Sequence, residues 1–286
     1  MRALQSWRSP SPARRIGVVG ALLVSVAGTT ASAQFNYADF TNVAGLSLVD
    51  SFRSGSSLII TPASTRVAGA AWYVADKQNV SLGWETEIRF RISDILGTGA
   101  DGIAFVIQNH SASALGGTGG AIGYGSNQYF DGATPRGIPN SVAVEFDTWM
   151  NGPHDWPDLN GNHVSIQSRG LLPNDPSHEY SLGAATVPTD MSDGQVHTAV
   201  ISYVQGGLMR IFVDDLVNPL VTANVNLDSW LALDSGRAWV GITGATGGAT
   251  DVQTHEILSW RFTVIPAPGG AALLGLGGLL ALRRRR

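Results

Sequence analysis

Cysteine is absent from the 286 residues. That excludes disulfides, thiolate metal sites and a cysteine nucleophile. A chain of this length does not need disulfides, because it can bury enough apolar surface without them. Charge is scarce too. Only 14% of residues are charged against 44% hydrophobic, a balance that disfavours disorder and suits a large core. Basic residues are scarcer still in the middle of the chain. Of 18, eight are arginines at the ends (Arg2, Arg8, Arg14, Arg15 and Arg283 to Arg286), leaving ten against 22 acidic residues and a charge of about −12 between the ends. A duplex-binding surface needs the opposite sign, so nucleic acid is not an expected partner. The excess of carboxylates suits divalent cations instead.

Helical periodicity of useful length is also missing, and no internal repeat is present. What is present is a period of two. Thr86 to Ile92 places Ile88, Phe90 and Ile92 on one face and charges on the other. Ser141 to Trp149 alternates as well, and His197 to Val213 reads as two strands around Gly206-Gly207, a hairpin signal. The 35 glycines are scattered rather than periodic, which fits strands joined by tight turns. The expected class is all-β, a sandwich or jelly roll in one domain over residues 34–264.

The two ends read differently. Residues 1–33 read as a signal peptide. Arginines precede the apolar run Ile16 to Val24, and Ala31-Ser32-Ala33 forms an A-x-A cleavage site before Gln34. The alternative is an uncleaved anchor, for which the run is short of the roughly 20 residues a span requires. In residues 265–286, Ile265-Pro266-Ala267-Pro268 breaks any strand, Gly269 to Leu282 is entirely apolar, and four arginines follow. As a helix that run reaches about 21 Å, short of a hydrocarbon core of about 30 Å. This order resembles the bacterial PEP-CTERM sorting signal. The resemblance implies export, transient membrane association through the tail, and its removal by a membrane protease. Pro266-Ala267-Pro268 lacks the central Glu of that signal, and the alternative is a permanent weak anchor.

The chemistry concentrates in Val144-Glu145-Phe146-Asp147-Thr148-Trp149-Met150-Asn151. In a strand, Glu145, Asp147 and Trp149 share one face, while Val144, Phe146 and Thr148 point to the core. Two carboxylates about 7 Å apart along a strand repel on a bare surface and make sense around a cation. Asn151, Asp155, Asp158 and His163 follow. Carboxylate, amide and carbonyl oxygens suit Ca²⁺, and an added imidazole suits a transition ion such as Mn²⁺. The alternative from residue types alone is an exposed acidic loop.

Glu145-Phe146-Asp147-Thr148-Trp149-x-Asn151, then Asp158 and Asn162-His163-Val164-Ser165-Ile166, resembles the metal loop of legume (L-type) lectins. Three further segments fall in the family's order: Ala100 to Phe105, Gly119 to Gly123, and Gly241 to Gly247 followed by His255 to Phe262. The resemblance implies a concanavalin-like jelly-roll sandwich that binds a glycan or polysaccharide without modifying it. It implies Ca²⁺ held by Asp147, Asp158, Asn151 and the Trp149 carbonyl, and a second ion, Mn²⁺ or another transition metal, held with Glu145 and His163. Asn151 to Asp158 is longer than the commonest plant spacing, so Asp155 competes for the bridging role.

The same resemblance assigns a sugar-binding set. Asp101, after a cis peptide, would accept from two hydroxyls. Asn151 and the Gly120 N–H would donate, and Trp149 would offer an aromatic face. Gly248 and Ala249 are the nearest matches in the loop that selects the monosaccharide. Copies of this fold pair through flat back sheets, which leaves a homo-oligomer open. Trp239 and Trp260 read as core, and His197 and His255 as structural. His110, His154 and His178 have no partner legible in the sequence.

Two other readings compete with a lectin. β-Glucanases of related fold carry Glu-x-Asp-x-Glu, with two carboxyl groups about 5.5 Å apart as nucleophile and acid. Here the third position is Trp149, and no general acid takes its place. The other is a structural surface protein that has lost sugar binding. The mature protein is predicted to begin at Gln34 and to lack Arg283 to Arg286. Intact-mass spectrometry tests both ends: a retained leader defeats the first expectation, an intact tail the second.

Overall fold

The computed structural model describes residues 32–126, 136–152, 158–248 and 250–265. Residues 1–31 of the expected leader, 266–286 of the expected tail, and His154, Asp155 and Ala249 lie outside the described residues.

Alternation along the chain is converted directly into layers. β6 (Gly83–Leu96) buries Trp84, Thr86, Ile88, Phe90 and Ile92 and turns Glu85, Glu87, Arg89 and Arg91 outward. It lies in the larger sheet with β1 (Ser32–Tyr37), β3 (Phe52–Ser54), β4 (Ser57–Thr61), β11 (Val196–Val204), β12 (Leu208–Val213), β13 (Val221–Asn224) and β15 (Val252–Ile265). The order is β13-β12-β11-β6-β15-β4-β3, with β1 also paired to β15. The second sheet runs β10 (Ser181–Thr186), β9 (His163–Gln167), β8 (Ser141–Asp147), β7 (Gly102–Gln108), β14 (Arg237–Ala245), β5 (Ala68–Asn79) and β2 (Leu46–Val49). Both sheets are antiparallel throughout. The α-helix among the described residues is one turn, Leu227–Trp230. The expected jelly-roll sandwich is the observed architecture. The β11–β12 hairpin turns on Gly206 and Gly207, at φ of 100° and 127°, backbone angles that glycine adopts without steric cost.

The main core fills the space between the sheets. Phe90 packs against Phe146 with ring centroids 5.7 Å apart, and Trp84 against Phe105 at 5.9 Å. Trp260 is fully buried there, as expected, while Trp239 is half-buried with the Lys77 ammonium 4.0 Å from its ring centre.

A second, smaller core covers the opposite face of the seven-stranded sheet. Ala104, Val106 and Ala143 pack there against Trp72, Ile122, Tyr124 and Ile138. β7 and β8 are therefore buried on both faces. The consequence falls on β8. Val144 and Phe146 point into the main core, so Glu145 and Asp147 point to the face that loops cover.

Replacing Phe90 by Ala, in a fully buried site, is expected to cost about 3–5 kcal/mol through lost burial and a residual cavity. Urea unfolding measures it; a loss under about 1 kcal/mol would show that the inter-sheet core repacks freely.

Candidate metal centre and recognition site

One register row across the seven-stranded sheet assembles the site. Reading across, Thr186 of β10 pairs with His163 of β9, His163 with Asp147 of β8, Asp147 with Gly102 of β7, Gly102 with Ala245 of β14, and Ala245 with Ala68 of β5. Residues far apart in sequence thus end at one edge of the sheet, and the loops leaving that edge carry the remaining groups.

At the centre stand buried carboxylates. Glu145 is 1% exposed and Asp147 3%. Glu145 accepts hydrogen bonds from the Tyr124 hydroxyl and from Gln167 Nε2 at 3.0 Å. Asp147 Oδ1 accepts from the Trp149 N–H at 2.7 Å, and Asp158 Oδ2 from the Asn151 N–H at 2.6 Å. His163 is fully buried. Its Nδ1 lies 2.6 Å from the Asn160 carbonyl, which can only accept, so Nδ1 carries the proton and Nε2 turns a lone pair inward. Nε2 lies 3.7 Å from Glu145 Oε1 and 2.9 Å from His178 Nε2. Ligand atoms of Asp147, Asp158 and His163 lie within 4.8 Å of one another, as do those of Glu145, His163 and His178.

Burial and mutual repulsion push Asp147 and Asp158 up. Asp158 rises to about 7, chiefly by burial, with Glu145 adding to it, while the Asn151 N–H and His163 pull the other way. Asp147 rises well above the usual carboxylate range through burial and the charges of Asp158 and Glu145. Burial would lower His163, but bonding to Glu145 and the charges of Glu145 and Asp158 leave it raised.

Beside this cluster lies Asp101, one residue before β7 and 3% exposed, after a cis Ala100–Asp101 peptide. Its N–H donates to the Ala245 carbonyl at 3.0 Å, and its carbonyl accepts from Thr148 at 2.9 Å. Its Oδ2 is buried without a hydrogen-bond partner. Burial, then the charges of Asp158 and Asp251, raise its pKa. Gly120 lies in the short 3₁₀ turn Gly119–Ala121, where an added Cβ would stand 2.7 Å from both Oδ1 and Nδ2 of Asn151. Only glycine lets that turn close over the amide. A Cβ on Gly247 would come within 3.4 Å of Asp101 Oδ2, and one on Gly248 within 3.5 Å of Arg66 Nε.

The family model for the legume lectin β-barrel domain matches residues 31–259. The chain belongs to the legume lectin family. Agglutinin-2 of Cladrastis kentukea is 30% identical over 191 residues, 64% of this chain and 59% of that protein. The bark leucoagglutinin of Maackia amurensis is 34% identical over 130 residues, 43% of this chain and 40% of that one. The matches span less than two thirds of either relative. Among solved structures, the lectin of Bauhinia forficata in complex with GalNAc has a TM-score of 0.65 at 23% identity, over 83% of this chain and 99% of that one. The exoplasmic/lumenal domain of VIP36, bound to Ca²⁺ and Man3GlcNAc, has a TM-score of 0.62 at 14% identity, over 84% and 92%. At these identities the structural likeness speaks for the fold alone.

Legume lectins bind Ca²⁺ and Mn²⁺, and the donor set here fits such ions. Buried carboxylates within reach of one another need a compensating charge, and a lone-pair-bearing imidazole nitrogen faces them. Asp147, Asp158, Asn151 and the Trp149 carbonyl can supply the oxygens of a calcium site; Glu145 and His163 can add the remaining donors of a transition-ion site.

One expectation needs correction, and one alternative falls away. β8 ends at Asp147, so Trp149 is not the third member of the strand face; Asp147 Oδ1 takes the Trp149 N–H and turns the chain out of the sheet. The alternative of an exposed acidic loop does not hold for Glu145 and Asp147, which a loop layer buries. The sequence also left several contributors unnoticed. Tyr124 and Gln167 fix Glu145, and His178, without a visible partner in the sequence, meets His163. Only Gln167 left a trace, two residues beyond Ser165 on the Glu145-facing side of β9.

A pH dependence follows. Three raised carboxyls, Asp158, Asp147 and Asp101, bind more protons folded than unfolded, so together they make the ion-free fold lose stability as pH rises from about 4 toward the Asp158 value of about 7, against the opposite contribution of the single buried His255, lowered to about 3. Added Ca²⁺ and Mn²⁺ should reverse the trend and release protons on binding. Thermal midpoints at pH 5 and 7.5, with chelator and with ions, test this; a chelated midpoint that climbs across the range contradicts it.

Proposed function

We propose that the chain is an exported, non-catalytic saccharide-binding protein whose recognition site is organised by Ca²⁺ and a transition ion. The observation that carries this reading is the Asp101 carboxylate. It is buried beside the metal cluster with one oxygen unpartnered, the state of an acceptor that awaits a donor. Asn151 and the Gly120 turn lie together in contact, and both offer N–H donors. A pyranose presents vicinal hydroxyls that both donate and accept, which matches one carboxylate flanked by amide donors.

The bound ions would supply positive charge that offsets the buried carboxylates and fixes the loop carrying Trp149 and Asn151. The chain's own groups do the recognition. Asp101, ionised, accepts from two hydroxyls. Asn151 donates through its amide, and Gly120 through its backbone N–H. Half-buried Trp149 offers a ring to the apolar side of the sugar. Gly248 would border the space that discriminates one monosaccharide from another. A non-catalytic role is supported by the sequence just after β8, where Trp149 stands at the position a third acid would take. Export rests on the leader and the PEP-CTERM-like tail.

Residues 34–264 on a glycan array, with Ca²⁺ and Mn²⁺ and then with chelator, test the proposal. Chelator-sensitive binding supports it. A folded, ion-loaded protein that retains no glycan counts against it. Asp101→Asn, nearly isosteric, should weaken binding at least about tenfold by leaving a hydroxyl mispaired, with ion affinity unchanged. Wild-type glycan affinity in that variant would remove Asp101 from the site.

A further inference from the structure

The family resemblance supplies one histidine to the transition-ion site; the structure brings a second. His178 sits in the short 3₁₀ turn His178–Tyr180, which follows β9 and folds back over it. Its side chain is 17% exposed, and its ring meets the His163 ring edge-on at 4.8 Å between centroids. The two Nε2 atoms stand 2.9 Å apart. Since His163 spends its proton on the Asn160 carbonyl, its Nε2 lone pair faces His178. Without an ion one proton bridges the two nitrogens, carried by His178 or by a doubly protonated His163; with an ion, both lone pairs can face a common cation.

The charge around the pair favours the second arrangement. Two imidazole nitrogens at about 2.1 Å from one ion stand about 3.0 Å apart at the right angle of a six-coordinate site and about 3.4 Å at a tetrahedral angle; the 2.9 Å seen fits the former and also fits an N–H···N hydrogen bond, so the surrounding carboxylates decide between them. Carboxylate oxygens complete the surround: Glu145 Oε1 lies 3.7 Å from His163 Nε2, and Asp158 Oδ1 lies 4.0 Å from His178 Nε2. Glu145 is itself held by Tyr124 and Gln167, the outer support that orients a ligating carboxylate.

We infer that His178 is a direct ligand of the transition ion, making a two-imidazole, carboxylate site that prefers Zn²⁺ or another late first-row ion over Mn²⁺. Carboxylates and water suit Mn²⁺, whereas each imidazole added moves a site toward later ions. This inference rests on the proposed metal site, and on Glu145, Asp147, Asp158 and His163 holding its ion.

The test is competitive titration of the metal-stripped protein, in constant Ca²⁺, with Zn²⁺ and with Mn²⁺, for wild type and for His178→Gln. Wild type should bind Zn²⁺ at least about 100-fold more tightly than Mn²⁺. His178→Gln should lower Zn²⁺ affinity at least about tenfold and Mn²⁺ affinity less, so the ratio of the two constants falls. A merely structural role would lower both alike and leave the ratio, and that result overturns the inference while the metal site stands. A wild type that takes up Ca²⁺ but neither Zn²⁺ nor Mn²⁺ overturns the transition-ion site together with the inference. A second measurement does not depend on the variant's folding. In the nitrogen-15 spectrum of wild-type histidine side chains, Zn²⁺ should move the Nε2 signals of both His163 and His178; a shift of His163 alone excludes His178 as a ligand.

Discussion

Like charges confined in one buried place govern this structure. Glu145, Asp147 and Asp158 sit within one another's field, and burial raises the cost of keeping them ionised together. The same carboxylates hold the chain that follows β8. Asp147 holds the Trp149 N–H and Asp158 holds the Asn151 N–H. Whatever balances the charge of the cluster therefore also decides how firmly the loop is held. Protons can balance it, but a protonated carboxyl is a weaker acceptor than a carboxylate. A divalent cation balances it while leaving the oxygens free to accept. Charge compensation and loop order become one event.

The sheet makes this confinement affordable. β7 and β8 are buried on both faces, so their backbone has no freedom to spread the carboxylates apart. Registered pairing fixes His163 opposite Asp147 and Gly102 opposite Asp147 on the other side. Asp101 follows as a consequence, because the residue before Gly102 meets the residue after Asp147, and its carbonyl takes the Thr148 N–H. The small side chains of Ala104 and Ala143 let the covering loops lie close. The rigid part of the site is thus built from paired backbone, and the variable part from loops that hang on it.

Much of this was legible in the residues. The alternation of Thr86 to Ile92 became β6, the paired glycines 206 and 207 became a hairpin turn, and the spacing of Glu145 and Asp147 put both on one face. Four dispersed segments resembled one family in order, and the fold agrees. What stayed hidden depends on contacts that no local pattern encodes. Period two tells which face a side chain takes, not what covers that face, so the burial of Glu145 and Asp147 could not be read. The strand ends at Asp147 because a side chain captures a backbone N–H two residues on, a competition between side chain and ladder that alternation does not see. His178 lies 15 residues from His163 and reaches it only because the turn after β9 folds back.

The cluster divides into two ends with different obligations. The oxygen end includes Asn151 and Trp149, which in the proposed arrangement also touch sugar, so a change of donor there alters recognition directly. The nitrogen end consists of Glu145, His163 and His178, supported by Tyr124, Gln167 and the Asn160 carbonyl. None of these belongs to the sugar-binding set. Asp147 and Asp158 join the two ends and transmit charge between them. On that proposal, donors at the nitrogen end would set which ion is held while every saccharide contact stays in place. In the proposed arrangement recognition would depend on the charge and position of that ion through Asp147 and Asp158, not on its identity, and that separation would let one sheet edge present the same glycan site over different metal chemistries.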